Sequence, residues 1–149
     1  MPDYSEGEMT IDPKDIDAHH RGTLTELLGV RFVEASRERV VAEVDIRDQL
    51  RTVGGPLHGG TLMALADIVG ATATFLNLPP GTTTTTLESK TNFFAAGRDG
   101  VVRAESTPLH RGRRTMVWQT RVTDESGRLL AMTVQTQMVL EASMTSGRG

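Results

Sequence analysis

Residues 57–78 read L-H-G-G-T-L-M-A-L-A-D-I-V-G-A-T-A-T-F-L-N-L and are stopped by Pro79, Pro80 and Gly81. Leu62, Leu65, Ala66, Val69, Ala73 and Leu76 recur at helical spacing, and Met63, Ile68 and Phe75 make the other faces apolar as well. A helix apolar on nearly every side has to be buried on nearly every side, so the rest of the chain must wrap around it. It falls short of a membrane span, because Gly59, Gly60, Gly70, Thr61, Thr72, Thr74, Asn77 and Asp67 interrupt the apolar run.

Asp67 is the anomaly in this stretch. Burying an unpaired carboxylate is costly, so such a group is exposed, paired, or kept for chemistry. The positions about one helical turn away are Met63, Ala64, Gly70 and Ala71, none of them cationic. Two readings stay open on the residues alone. Asp67 sits on a narrow exposed edge or caps a neighbouring loop, or it is a catalytic carboxylate.

A chain of 149 residues suits one ordinary domain with a real core, expected over 11–140 between tails at 1–10 and 141–149. Aromatics make up only 4%, so that core must rest on Val, Leu, Ala, Met and Thr. The net charge of −3 gives no global pull toward nucleic acid or an anionic membrane, so neither is expected as a partner. The absence of cysteine excludes disulfides, thiolate zinc sites and a cysteine nucleophile. The opening M-P-D-Y-S-E-G-E lacks the basic-then-apolar order of a signal peptide, which makes a soluble, cytoplasmic protein the expectation.

Asp12 and Pro13 suit a helix start, and the segment to Leu28 is expected to be helical, with Gly29 as its stop. His19 and His20 fall there, but neighbours on a helix point about 100° apart and make a poor ligand pair. From Val30 the period changes to two, giving strands over 30–34 and 40–46 around a Ser36-Arg37-Glu38 turn. A loop over 49–56 delivers the chain to His58. The threonine run 82–86 begins a strand reaching Phe94, followed by strands over 101–109, 115–123 and 129–140. A basic turn at 110–114 and a hairpin turn at 124–127 separate the last three. The expected class is α+β, with the last four strands in consecutive hairpins and the antiparallel sheet wrapped round one long helix.

Gly59 and Gly60 leave backbone N–H groups unobstructed at the positive end of that helix, where an oxyanion can bind; the bland alternative is a tight strand-to-helix turn. Asp67 lies eight residues beyond Gly59, or about 12 Å along the axis at the α-helical rise. An attacking group must lie within about 3.5 Å of the carbonyl carbon whose oxygen the Gly59 N–H holds. One chain cannot supply both. If both take part, the carboxylate comes from a second subunit. The turn His110-Arg111-Gly112-Arg113-Arg114 suits phosphate and would accept a handle such as that of coenzyme A; a solvated turn is its alternative reading.

Three segments carry a resemblance: L-H-G-G-T-L-M-A-L-A-D, T-N-F-F-A-A-G, and P-L-H-R-G-R-R-T-M-V-W-Q-T-R-V-T-D-E-S-G-R-L-L-A. Together they resemble the hotdog-fold acyl-CoA thioesterases of the 4-hydroxybenzoyl-CoA thioesterase superfamily, in the PaaI-like branch, over residues 24–140. The resemblance implies an antiparallel sheet of five to six strands curled round one helix, and homodimers that share active sites and pair into homotetramers. It implies hydrolysis of an acyl-CoA thioester to free acid and coenzyme A, with no cofactor beyond the substrate's own coenzyme A.

By position, Asp67 would be nucleophile or general base, and Gly59 N–H would polarise the carbonyl. His58 would support the turn, while Thr52 and Thr86 would be auxiliary polar groups. Arg111 and Arg113 would lie near the nucleotide end, with His110 and Arg114 beside them in the same basic turn. Met63 and Phe93, with Phe75, Leu76 and Phe94, could line the acyl pocket. Thr52 stands where many members have Asn or Gln, Ala71 where one branch has Thr or Ser, and Ala96 where proline is usual. A hotdog hydratase or dehydratase, or a non-catalytic acyl-CoA-binding protein, is the alternative.

Overall fold

The computed structural model describes residues 10–142, so of the tails expected over 1–10 and 141–149 all but residues 10, 141 and 142 lie outside the described residues. The elements run α1 (Pro13–His19), α2 (Leu24–Leu27), β1 (Arg31–Ala35), β2 (Val40–Asp45), α3 (Gly59–Phe75), β3 (Thr82–Phe93), β4 (Val101–Arg111), β5 (Thr115–Thr123) and β6 (Leu129–Glu141), with a 3-10 turn at Asp48–Leu50. All six strands form one antiparallel sheet in the order β1-β2-β4-β5-β6-β3. The sheet curls round α3, which packs against β2, β3, β4, β5 and β6.

The helix buries Leu62, Leu65, Ala66, Val69, Ala73 and Leu76 against Val40, Ala42, Val44, Val102, Trp118, Val122 and Leu130 from the sheet. Burial is not complete on all sides. Met63 is 40% and Phe75 62% exposed, which leaves two large apolar groups of α3 uncovered in the single chain.

Three expectations need correction. The helix expected over 12–28 is two short ones, because Gly22 turns the chain at φ +75° and Thr23 starts a second helix. Leu24 and Leu27 consequently lie exposed rather than on a buried face. The last four strands are not consecutive hairpins: β3 pairs with β6 at the sheet edge, and residues 94–100 carry the chain across to β4. That crossing is held by Phe94 N–H on Leu130 O (2.8 Å), Leu57 N–H on Gly97 O (2.7 Å) and Ile46 N–H on Gly100 O (2.8 Å). A seven-residue link anchored at three places is no tight hairpin turn. His110 and Arg111, finally, belong to β4, and only residues 112–114 form the turn.

Two local devices set side-chain direction. In the β5–β6 hairpin, Asp124 Oδ1 accepts from Ser126 Oγ, Ser126 N–H and Arg128 N–H. The Ser126 hydroxyl is the main reason its carboxyl sits below the usual range. In β3, a register shift at Leu87 inserts one residue opposite β6. Thr84 and Thr86 before it, and Ser89 and Thr91 after it, thereby share the face that looks toward α3 and the buried side of β6.

Candidate active site

The entrance to α3 is built by its own sequence. His58 is the N-cap, with extended φ and ψ, and its Nδ1 accepts from Gly60 N–H at 2.7 Å. His58 N–H donates to Leu50 O (2.9 Å), and Thr61 Oγ1 donates to the same carbonyl (3.2 Å), which fixes the loop to the helix. Gly60 N–H is thus taken. Gly59 N–H has no partner among the described residues and points out at the positive end of the helix dipole. The ring of Phe93 lies 3.3 Å from where a side chain on Gly59 would begin, so a larger residue there needs only a small shift of that half-exposed ring.

Asp67 lies eight residues along the same helix, half-buried. Its Oδ1 accepts from Thr86 Oγ1 (2.9 Å) and from Gln135 Nε2 (3.1 Å). Oδ2 has no partner among the described residues. Thr86 accepts in turn from Gln137 Nε2 at 2.7 Å. Asp67 therefore bonds to two strands rather than capping a loop, and is a half-buried carboxylate held by one oxygen.

Beside it opens a cleft of about 470 Å³, lined by Ile11, Ile16, Ile68, Ala71, Thr72, Phe75, Leu76 and Thr84, with Asp15, His19 and His20 along one wall. The walls are mostly apolar, and Asp67 is the charged group that reaches them from α3. His19 stacks on Phe75 at a centroid distance of 6.4 Å, and His20 on Phe32 at 5.7 Å. Burial, followed by the neighbouring His19, pushes the His20 imidazole below its ordinary pKa, partly offset by Asp17.

The fold divides the candidate residues into two groups. Asp67 and Thr86 meet directly. Gly59, His58 and Phe93 gather at the helix entrance, and Thr52 lies near them in the preceding turn, its N–H on Pro56 O at 2.8 Å. Met63 lies on α3 between the two groups, exposed. Phe75 and Leu76 line the cleft; Phe93 and Phe94 lie elsewhere and are about half exposed.

The basic segment lies toward the other end of α3. Arg111 is clamped by Glu38 through both terminal nitrogens (2.7 and 3.1 Å) and reaches Asn77 Oδ1 (3.3 Å). It ties β4 to the β1–β2 turn, while His110, Arg113 and Arg114 stay exposed. Gln135 and Gln137 went unnoticed in the sequence. The pattern that could have marked them is a pair of glutamines two apart in a strand, hence on one face.

Comparison with known proteins identifies the family and the fold. The family model described as the thioesterase superfamily matches residues 54–131, from the turn before His58 to the start of β6. A putative esterase of Deinococcus radiodurans is 37% identical over 112 residues, 74% of this chain and 70% of that protein. A 1,4-dihydroxy-2-naphthoyl-CoA hydrolase of Escherichia coli is 30% identical over 125 residues, 84% of this chain and 92% of that protein. Among solved structures, a thioesterase of Haemophilus influenzae superposes with a TM-score of 0.87 at 25% identity, covering 94% of this chain and 98% of that one. With its six-stranded sheet curled round α3, an open amide at the helix entrance and a held carboxylate eight residues on, the chain belongs to the thioesterase superfamily and has the hotdog fold.

Proposed function

We propose that the protein hydrolyses an acyl-CoA thioester to the free acid and coenzyme A, at a site shared between two copies of the chain. The observation that carries this reading is Asp67, whose Oδ1 is held and whose Oδ2 has no partner among the described residues, beside an apolar cleft. The Gly59 N–H of the second copy receives the carbonyl oxygen. Asp67 either attacks the carbonyl carbon or takes a proton from the water that does. The tetrahedral oxyanion is held by the amide and the helix dipole and collapses with cleavage of the C–S bond. Where Asp67 attacked, the thiolate takes a proton from solvent, and water then hydrolyses the acyl anhydride on Asp67 to the free acid. Where Asp67 acted as base, its acquired proton passes to the thiolate as the acid forms.

Support for a second copy comes from what the single chain leaves open. β3 is a twelve-residue edge strand, and Met63, Leu87, Phe93 and Phe94 are exposed on or beside it. The outer sheet face carries Val117, Met132, Val134 and Met138, half-exposed, which suits the further contact of a dimer of dimers. Exposed His110, Arg113 and Arg114 are the groups available for the phosphates of coenzyme A. Arg111 has its guanidinium on Glu38 and serves that surface by anchoring it. The cleft's volume and apolar lining suit an aryl or medium alkyl acyl group.

The test is thiol release from benzoyl-, phenylacetyl- and fatty acyl-CoAs by wild type and Asp67→Asn. We expect kcat to fall by about 100-fold or more, the scale of a positioned acid–base group. Equal rates in the two proteins would remove Asp67 from the mechanism. Mass analysis of acid-quenched single turnovers separates the two roles, since only a nucleophile carries the acyl group.

A further inference from the structure

Beneath α3, on the face of β6 that ought to be apolar, lie two glutamines with no solvent exposure, Gln135 and Gln137. Both connect to Asp67. Gln135 Nε2 lies 3.1 Å from Asp67 Oδ1 and 3.5 Å from its backbone oxygen. Gln137 Nε2 donates to Thr86 Oγ1 at 2.7 Å, and Thr86 donates to the same Oδ1 at 2.9 Å.

The protons in this chain run one way. A hydroxyl has a single hydrogen, and Oδ1 needs it, so Thr86 can only accept from its other neighbour. Gln137 must therefore turn its amide nitrogen toward Thr86 and its oxygen toward Thr84, whose Oγ1 lies 3.0 Å away. The opposite amide orientation would claim Thr86's hydrogen and leave Oδ1 without it.

Gln135 shows the same priority at a cost. Its Oε1 is buried and has no partner among the described residues, a position that weakens a fold. It fits because residue 70 is glycine: a Cβ there would lie 2.4 Å from that oxygen. A leucine would fill the space without an orphan oxygen. What it could not do is donate to Asp67.

We infer that Gln135 and Gln137 are positioning residues of the thioesterase site: they lock Asp67 Oδ1, directly and through Thr86, so that Oδ2 is the oxygen that reacts. This rests on the function proposed above for Asp67. Neither glutamine touches substrate; each acts through the carboxylate.

The experiment is steady-state kinetics on Gln135→Met, Gln137→Met, Thr86→Val and the double variant Gln137→Met/Thr86→Val, with Asp67→Asn alongside. Each single variant is expected to lower kcat by on the order of 10-fold or more, with KM unchanged, the scale of a hydrogen bond to a charged group. The double variant is expected to be no slower than Thr86→Val, because Gln137 acts through that hydroxyl. Thr86→Ser, which keeps the hydroxyl, should restore most of the rate.

Should a buried glutamine variant fail to fold, Gly70→Ala reads the same link. It leaves every side chain of the chain intact yet displaces the Gln135 amide, and kcat should fall. Wild-type kcat in the glutamine or Gly70→Ala variants overturns the inference. So does an effect on KM alone, or additivity in the double variant, the signature of two separate structural losses. If Asp67→Asn itself retains full activity, the proposed function fails first and the positioning role with it; a dead Asp67→Asn beside active glutamine variants sinks the positioning role alone.

Discussion

At the scale of single residues, the site depends on side chains that hold one another in a single arrangement. His58 occupies Gly60 N–H while Gly59 N–H has no partner among the described residues, so under the proposed mechanism one cap decides which amide meets the oxyanion. His20 shows burial acting on a titratable group. Its folded pKa lies below 6.5, so in the window beneath 6.5 the unfolded chain binds more protons than the folded one. Its contribution to stability is full above 6.5 and is lost as pH falls toward the depressed folded value. Urea midpoints at pH 7.5 and 5.5 should therefore differ less in His20→Gln than in wild type. An unchanged difference would show that His20 has no part in the acid sensitivity. Arg113 and Arg114 offer a second residue-level expectation. Replacing both with alanine should raise KM for acyl-CoA by roughly 10-fold with kcat kept, the mark of binding lost equally from ground and transition states.

At the scale of elements, β3 carries the most consequences. Its bulge at Leu87 lets Thr84, Thr86, Ser89 and Thr91 face the same way, and it leaves Leu87 57% exposed on a free edge. Under the proposed dimer that edge meets a second copy. Leu87→Lys, a charge of the kind natural edges use to prevent pairing, should shift the protein to monomer in sedimentation and abolish turnover while the far-ultraviolet spectrum stays native. A fully active monomer would overturn the shared site. The helix α3 places its own demand on the sheet, since Leu65 and Val69 have no exposure. Leu65→Ala should cost about 2–5 kcal/mol of stability by chemical denaturation, the range for large-to-small changes in a packed core.

At the scale of the whole molecule, the proposed mechanism puts half a site on each copy. Gly59→Pro removes the open N–H with little backbone strain, because proline suits the first position of a helix and His58 before it is already extended. Alone, Gly59→Pro and Asp67→Asn should each be nearly inactive. Refolded together in equal amounts, they should recover about a quarter of wild-type activity, since half the dimers pair unlike chains and each such pair has one intact site. No recovery, with mixed dimers confirmed by mass, would mean that amide and carboxylate do not come from different chains.

The apolar period of residues 59–75, the alternation from Val30 onward and the placement of glycines were enough to state a sheet round a helix, because local spacing reports directly which face is buried. Asp67 stood out for the same reason, as a charge inside an apolar period, and the eight-residue interval to Gly59 forced the argument for two subunits. Pairing was not legible in this way: β3 joins β6 rather than β4 because the link 94–100 is anchored to Leu130, Leu57 and Ile46, by contacts between segments distant in sequence. Nor were Gln135 and Gln137, since β6 turns its polar Thr133, Gln135 and Gln137 inward and its Met132, Val134 and Met138 outward, the reverse of what alternation teaches. Spacing along the chain encodes which residues can share a face. Which polar groups are worth burying is decided only when a carboxylate from another element arrives to be held.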